Sequence, residues 1–331
     1  MSKNTANFTP ALEQASGKFP YSLTNDYLFR ILFQKNQKAL KGLLTSLLHL
    51  NPEDISSAVI TNPIEIGDDI MAKEFILDIN VILNGYHQVD LEMQVVNYHD
   101  WPERSLNYLC RLFNNLNKGD DYSITLPAIQ IGILDFTPFP ENPRFYSRNL
   151  MMDEETGHIY SSKFAIHVLD LSQVDTASSQ DKEWELDNWA KLFKATTWED
   201  VKMIAKKNEY LTEAANTMYE LYADREMRRQ MENREDFIRR QKRDQKMLKE
   251  QADTIKSQTD IIAEKDSALA QKESALAEKD SALAQKESAL TEMSSALAQK
   301  ESALTEMNSA LAQKDSTIEQ LRAEIAALKK S

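Results

Sequence analysis

Cysteine, glycine and long apolar runs are scarce in this 331-residue chain. The single cysteine, Cys110, excludes an intramolecular disulfide and a metal cluster built from several thiolates. No run approaches the ~18 apolar residues of a membrane-spanning helix, and residues 1–20 lack the apolar core of a signal peptide. No glycine-rich phosphate loop occurs, so a nucleotide cofactor is not expected. We therefore expect a cytoplasmic protein with no membrane partner.

Basic charge is also in deficit, because the formal net charge is -13 at pH 7. Proteins that coat nucleic-acid phosphates without sequence preference are usually basic, so the charge argues against that class. It is compatible with a nuclease whose own acids hold metal ions. Residues 224–249 form one concentrated basic stretch, in which arginines alternate with acids. This stretch either contacts a DNA backbone or forms a solvated helix that pairs with itself.

The chain does contain two apolar strands with acids in their middle, at residues 73–83 and 87–96. Asp78 interrupts the first strand, and Glu92 and Gln94 interrupt the second. Burying a carboxylate is unfavourable unless it is paired or bound to a cation. The pattern therefore indicates a divalent-metal site with Asp78 and Glu92 as ligands, and such oxygen ligands suit Mg²⁺. The alternative is that the acids face solvent on an edge strand.

The length of the turn between the strands decides whether these acids can act together. A two-residue Asn84–Gly85 loop would pair Leu77 with Glu92, and the acids would then point to opposite sides of the sheet. A three-residue Asn84–Tyr86 loop would instead place Asp78 opposite Glu92. The metal-site hypothesis requires the three-residue loop or a bulge.

Helical periodicity covers much of the remaining sequence. It predicts helices over 24–50, 101–116 and 184–221, and a strand that is apolar on both faces over 126–136. Thr24 or Asn25 is the expected N-cap of the first helix. Cys110 falls in an apolar helical pattern, so we expect it in the core.

Beyond Ile261 the chain follows a seven-residue repeat of the form SALAQKE, with Leu at every seventh position from 269 to 311. If Leu occupies heptad position d, position a is an acid such as Glu273; if Leu occupies a, position d is mostly Lys, with Met293 and Met307 as exceptions. A firm coiled coil needs apolar residues at both positions. The single Leu stripe predicts weak assembly into a homodimer or higher homo-oligomer. The alternative is one solvated helix stabilised by its alanines and by i,i+4 charge pairs.

The ordered segments TNDYLFRILF, LDINVIL, LEMQVV, ERSLNYLCRLF and AIQIGIL resemble the PD-(D/E)XK nuclease-family transposases, which include the Rpn group of recombination-promoting nucleases. The resemblance covers roughly residues 21–240. It implies an α/β fold with a restriction-endonuclease-like core, that is, a mixed central sheet flanked by helices. The expected organisation is a flexible leader, this core, an α-helical extension with the basic stretch, and a long heptad-repeat helix, at residues 1–20, 21–175, 176–250 and 251–331.

The resemblance also implies an activity, namely Mg²⁺-dependent cleavage of DNA in recombination or in defence against foreign DNA. Asp78 and Glu92 match the metal-binding catalytic acids of the family. Gln94 stands where the family pattern has Lys, and it can orient a water but cannot act as a base. The alternative function is a catalytically inactive nuclease-fold module that recruits a partner through its repeat tail.

Three further residues are DNA-binding candidates on the same resemblance. Arg104 and Tyr108 lie one helical turn apart, with Arg104 expected to contact a phosphate and Tyr108 either to join it or to lie in the core. Asp26 matches an acid of the family, and it either contributes to the active site or caps its helix. Asp90 shares the face of Glu92, but an acid at the start of a strand is expected to be solvated.

Overall fold

The computed structural model describes residues 7–64, 78–114 and 116–328. The chain divides into two units, residues 1–249 and 250–331. The first unit is built around a six-stranded sheet with the order β1-β2-β3-β4-β6-β5. The strands are β1 (Ala58–Ile60), β2 (Ile79–Leu83), β3 (His87–Gln94), β4 (Ala128–Leu134), β5 (Tyr146–Met152) and β6 (Ile159–Asp170).

The sheet mixes both strand directions. The β2–β3 hairpin and the β5–β6 pair are antiparallel, whereas β3, β4 and β6 run parallel to one another. The apolar sequence AIQIGIL of β4 suits its central place, because a strand covered on both faces must be apolar on both. The expected mixed sheet with flanking helices is confirmed.

Nine helices are described: α1 (Pro10–Gln14), α2 (Asp26–Lys35), α3 (Gln37–Leu48), α4 (Trp101–Phe113), α5 (Ser179–Glu183), α6 (Leu186–Lys194), α7 (Trp198–Ala205), α8 (Glu209–Ala223) and α9 (Arg225–Leu328). The single helix predicted over 24–50 is wrong, because Asn36 divides it. The Asn36 side chain accepts a hydrogen bond from the Ala39 amide and so starts α3 as its N-cap. Its amide nitrogen also donates to Thr217 on α8 at 2.7 Å.

The first twenty residues are not a loose leader over the part that the structure describes. Helix α1 buries Leu12 completely, and Phe19 packs against Trp198 with ring centroids 4.7 Å apart. The helical extension predicted over 176–250 belongs, up to residue 249, to the same unit as the sheet. Helix α8 packs on α3 so closely that a Cβ on Gly42 would lie 2.2 Å from the Tyr210 side chain. The sheet and these helices therefore share one core.

The two faces of the sheet differ in character. The apolar residues of β2 and β3, such as Val81, Val89 and Leu91, join the main core with α2 and α3. On the opposite face, Trp101 of α4 packs with Leu134 and Val168 in a smaller cluster. The prediction that Cys110 is a core residue is wrong, because its thiol is exposed on the outer side of α4.

The second unit contains the C-terminal part of α9. Every Leu of the repeat from 269 to 311 is exposed. Among the described residues, no helix is long and apolar enough to cross a membrane.

Candidate active site

A three-residue loop joins β2 to β3. This is the loop length that Asp78 and Glu92 require in order to point to the same face. Leu83 pairs with His87, and Ile79 pairs with Leu91. Two residues of the loop adopt positive φ angles, Asn84 at 54° and Gly85 at 77°. One step further in this register, Asp78 lies opposite Glu92, so both side chains point to the same face. Residues 73–77 of the predicted first strand lie outside the described residues.

Three carboxyl groups are buried on this face. Asp78 is 5% exposed, Asp90 is 2% exposed and Glu92 is 6% exposed. The expectation that Asp90 is solvated is therefore wrong. Asp90 pairs with Asn80 across the hairpin, inside the sheet rather than at its edge. Each of the three carboxyls keeps one oxygen, Oδ1, Oδ1 and Oε2 respectively, without a hydrogen-bond partner among the described residues.

Burial raises the pKa of all three acids. For Asp90 the pKa lies well above its usual range, first because of burial and then because of the negative charges of Asp78 and Glu92. Burial likewise raises the pKa of Asp78, against hydrogen bonds that include one with Asp90 and against the charge of Arg30. Burial also raises the pKa of Glu92, against the charge of Arg104. Without a cation, the group therefore tends to retain protons that exposed acids would lose.

Helix α4 brings a cation to Glu92. Gly132 on β4 has no side chain, and a Cβ there would lie 2.2 Å from the Trp101 ring, so α4 packs close to the sheet at this point. One turn later, the Arg104 guanidinium contacts Glu92 Oε1 through Nε at 2.8 Å and Nη2 at 2.6 Å. Nη2 also donates to the Tyr108 hydroxyl at 3.1 Å. Burial, followed by the charge of Glu92, raises the pKa of Tyr108 to about 12.

Arg30 of α2 supports the site from its other end. Its guanidinium is fully buried and donates to the main-chain carbonyl of Asp78 and to Asn62. The Asn62 side chain in turn donates to the same Asp78 carbonyl at 3.1 Å and accepts from the Asn80 amide at 2.9 Å. Burial lowers the pKa of Arg30 to about 10, against the charges of Asp78 and Asp90. Arg30 thus fixes the backbone at the start of β2 and places a positive charge near the acids.

Two buried amides complete the face. Gln94 donates from Nε2 to the Val96 carbonyl at 3.1 Å, and its Oε1 has no partner among the described residues. Gln130 of β4 lies beside Asp90 in the sheet, and both of its amide atoms lack a partner within the same residues. Buried polar atoms are rarely left unpaired, so this face offers several donors and acceptors to a polar ligand.

Asp26 does not cap its helix. The cap of α2 is Asn25, whose side chain accepts from the Leu28 amide at 3.2 Å. The Asp26 carboxylate is instead held by Arg234 of α9, with Nε at 2.7 Å from Oδ1 and Nη2 at 2.5 Å from Oδ2. This bidentate pair occupies both carboxylate oxygens, and it assigns one arginine of the basic stretch to the folding of the first unit.

The donor set fits a hard divalent cation. Asp78, Asp90, Glu92 and Gln94 lie on the same face of β2 and β3, and each has a carboxylate or amide oxygen without a partner among the described residues. No three His, Cys, Asp or Glu side chains within the described ranges are arranged as a finished metal site. In this arrangement one oxygen of Glu92 is bound by Arg104.

Arg30, Gln130 and Asn62 were not predicted from the sequence. Arg30 and Gln130 each interrupt an otherwise apolar stretch, NDYLFRILF and AIQIGIL, and this is the same signal that singled out Asp78. Asp90 was predicted to share the face of Glu92 but was assigned to solvent. Asn62, which fixes the start of β2, stands in a loop with no local signal of its role.

A mixed sheet flanked by helices, with buried carboxyls on adjacent strands, defines a restriction-endonuclease-like fold. The family model of the PD-(D/E)XK nuclease family transposases matches residues 23–252. The chain belongs to this family. No curated protein and no solved structure matches it.

Proposed function

We propose that this protein is a Mg²⁺-dependent DNA endonuclease that hydrolyses phosphodiester bonds in the cytoplasm, in recombination or in defence against foreign DNA. The observation that carries the proposal is a set of buried acids, Asp78, Asp90 and Glu92, on one face of a nuclease-family sheet, each with an oxygen that has no partner in the part of the chain that the structure describes. Burying acids lowers the stability of the fold, so a buried cluster of them is more typical of a functional site than of a purely structural one.

In this proposal Asp78 and Glu92 hold the metal ion, with Asp90 as a third acid beside them. A bound Mg²⁺ would lower the pKa of a coordinated water and neutralise charge that develops on the phosphate. Gln94 orients the attacking water through Oε1, since an amide can accept a hydrogen bond but cannot take the proton.

Arg104 is the proposed phosphate-binding residue. Without substrate its guanidinium neutralises Glu92, at 2.6 Å, and its side chain remains about one third exposed. It can therefore exchange one carboxylate contact for a phosphate oxygen, with which arginine forms similar charge-assisted hydrogen bonds. Tyr108, which is bonded to Arg104 at 3.1 Å, holds the guanidinium in place.

Two observations favour the second candidate, a nuclease-fold binding module without activity. Gln94 replaces the lysine of the family pattern, and Arg104 already occupies one oxygen of Glu92. The enzyme acts on DNA, and the binding module recruits a partner. Both candidates are compatible with assembly into a homo-oligomer. Only the enzyme requires the carboxyls to be ionised around a cation.

Plasmid nicking separates the two candidates. We expect Mg²⁺-dependent nicking by the wild type, abolished by chelation, and a loss of about 100-fold or more in Asp78→Asn and in Glu92→Gln. Asp187→Asn is the matched control, because Asp187 is similarly buried but is paired with Lys191 on α6. Nicking that is equal in all four proteins, or that survives chelation, would refute the enzyme. No nicking by the folded wild type with Mg²⁺ or Mn²⁺ would favour the binding module.

A further inference from the structure

The C-terminal repeat presents one apolar stripe without any described partner. Its Leu residues from 269 to 311 are between 55% and 74% exposed, and their seven-residue spacing forms a stripe that winds slowly around a continuous helix. Exposed leucines in a single row are typical of a surface that packs on another helix.

Charge of opposite sign runs along the two flanks of this stripe. Lys follows the Leu by three positions, as in Lys272 after Leu269, and an acid follows by four, as in Glu273. With about 100° per residue, these positions lie roughly 60° to one side of the stripe and 40° to the other. The repeat therefore has a basic flank, an apolar centre and an acidic flank.

These charges do not stabilise their own helix. Across residues 264–315, no Lys lies three or four positions from an acid, which are the spacings at which side chains on one helix meet. Adjacent residues such as Lys272 and Glu273 point away from each other. Of the two supports expected for a solitary helix, alanine content and i,i+4 charge pairs, the repeat therefore has only the alanines.

The flanks distinguish parallel from antiparallel pairing of two copies. In a parallel pair, the left flank of one helix faces the right flank of the other, so that each Lys row meets an acid row. In an antiparallel pair, each flank faces its own copy, and Lys meets Lys. Charge complementarity thus favours the parallel arrangement.

Two irregular repeats indicate the register. Where Lys is replaced by Met293, the following acid is replaced by Ser294, and where it is replaced by Met307, the acid is replaced by Asn308. With the copies in register, each neutral residue faces the other neutral residue of its pair. The six remaining lysines, at 265, 272, 279, 286, 300 and 314, then each face the acid one position later, at 266, 273, 280, 287, 301 and 315. A shift of one heptad places a lysine or an acid opposite a neutral residue in several layers.

We propose that the repeat tail binds a second copy of this chain as a parallel, in-register pair held by the Leu stripe and by Lys–acid contacts between the copies. Because residues 1–249 precede the tail in both copies, this pairing joins the two catalytic units through the same end of the tails. The proposal does not depend on the nuclease activity.

Charge reversal in the full-length protein tests the contacts. Lys272→Glu, Lys279→Glu and Lys286→Glu together should weaken the dimer more than about tenfold in sedimentation velocity, since each reversed pair occurs twice. Adding Glu273→Lys, Asp280→Lys and Glu287→Lys should restore it.

The matched control places three reversals away from the stripe, at Glu278→Lys, Glu292→Lys and Glu306→Lys, and it should leave the dimer intact. Circular dichroism checks that every variant keeps its helix content. A monomeric wild type, no effect of the first triple variant, or equal weakening by the control would each overturn the proposal.

Disulfide trapping tests orientation and register. In a Cys110→Ser background, Leu269→Cys alone and Leu311→Cys alone should each form covalent dimers on mild oxidation, and a mixture should form no link between 269 and 311. Links that form only in the mixture would establish the antiparallel pair and refute the proposal. A failure of both single variants to form dimers would also refute it.

Discussion

At the scale of single residues, the site consists of acids that the fold holds out of water. Burial and the charges of Asp78 and Glu92 raise the pKa of Asp90 well above its usual range. A carboxyl whose pKa is raised on folding stabilises the native state at low pH, and this contribution is lost as the pH rises towards its folded pKa. The metal-free protein therefore carries a growing cost at neutral and alkaline pH.

We predict that Asp90→Asn stabilises the metal-free protein, because the amide cannot ionise beside Asp78. The gain should be small near pH 4, where the unfolded carboxyl is still about half protonated, and clearly larger at pH 8, where only the folded Asp90 resists ionisation. Urea unfolding in the presence of a chelator measures it. Tryptophan fluorescence is a suitable signal, since all four tryptophans lie in residues 1–249.

Asp187→Asn provides the comparison, because it removes a buried carboxylate that is already neutralised by Lys191 at 2.6 Å. It should not stabilise the protein at either pH. If Asp90→Asn destabilises the protein at pH 8, or if its effect is the same at pH 4 and pH 8, the carboxyls do not repel one another as described.

The site residues differ in how far the sequence could predict them. Asp78, Glu92 and Gln94 could be singled out because each is polar at an inward position of an apolar strand. Whether they face one another depended on the turn length, which the sequence NGY leaves open between two and three residues. Arg30 lies on α2 and Gln130 on β4, so both are distant from the acids in sequence, and no local pattern connects them to the acids.

At the scale of elements, the first turns of α9 hold together two segments that carry the site. Arg234 grips Asp26 at the start of α2, and Asn25 donates to the Met231 carbonyl at 3.1 Å. Further along, Gln241 accepts a hydrogen bond at 2.8 Å from Tyr98, which lies between β3 and α4. The start of α9 is thus part of the nuclease fold rather than a free basic arm.

We predict that Arg234→Ala lowers the free energy of unfolding by about 3 kcal/mol, because it leaves the Asp26 carboxylate buried without its partner. The two side chains are only 15% and 10% exposed. Urea unfolding followed by tryptophan fluorescence gives the value. Arg239→Ala is the control from the same stretch: its pair with Asp236 is exposed, so the expected change is below about 0.5 kcal/mol. If both substitutions lowered the free energy of unfolding equally, the buried Arg234–Asp26 pair would contribute no more than an exposed pair.

Element boundaries were predictable where one physical signal dominates. Pro102 in the first turn and an apolar periodicity identify α4, and apolar residues on both faces identify β4. The break between α2 and α3 escaped because Leu periodicity continues across Asn36. Strands β5 and β6 were not predicted. Strand β5 lies at the sheet edge and the first half of β6 is largely polar, so neither has the apolar pattern of a central strand.

At the scale of the whole molecule, the chain combines a nuclease-family unit with a repeat helix, and the two units have separate proposed roles. The repeat was evident from sequence, and the proposed mode of pairing rests on the spacing of Lys and acids around the stripe. The fold of the first unit followed from ordered motifs, since the global charge of -13 argued only against nonspecific coating of nucleic-acid phosphates.

The central claim is that the buried carboxyls bind a divalent cation, and calorimetric titration of the full-length protein with Mn²⁺ tests it most directly. We predict one tight site per chain in the wild type and in Asp187→Asn, with affinity that falls as the pH is lowered because the acids must release their protons. Asp78→Asn and Glu92→Gln should each weaken binding more than about tenfold. Equal Mn²⁺ affinity in all four proteins, or no binding by the folded wild type, would contradict the account.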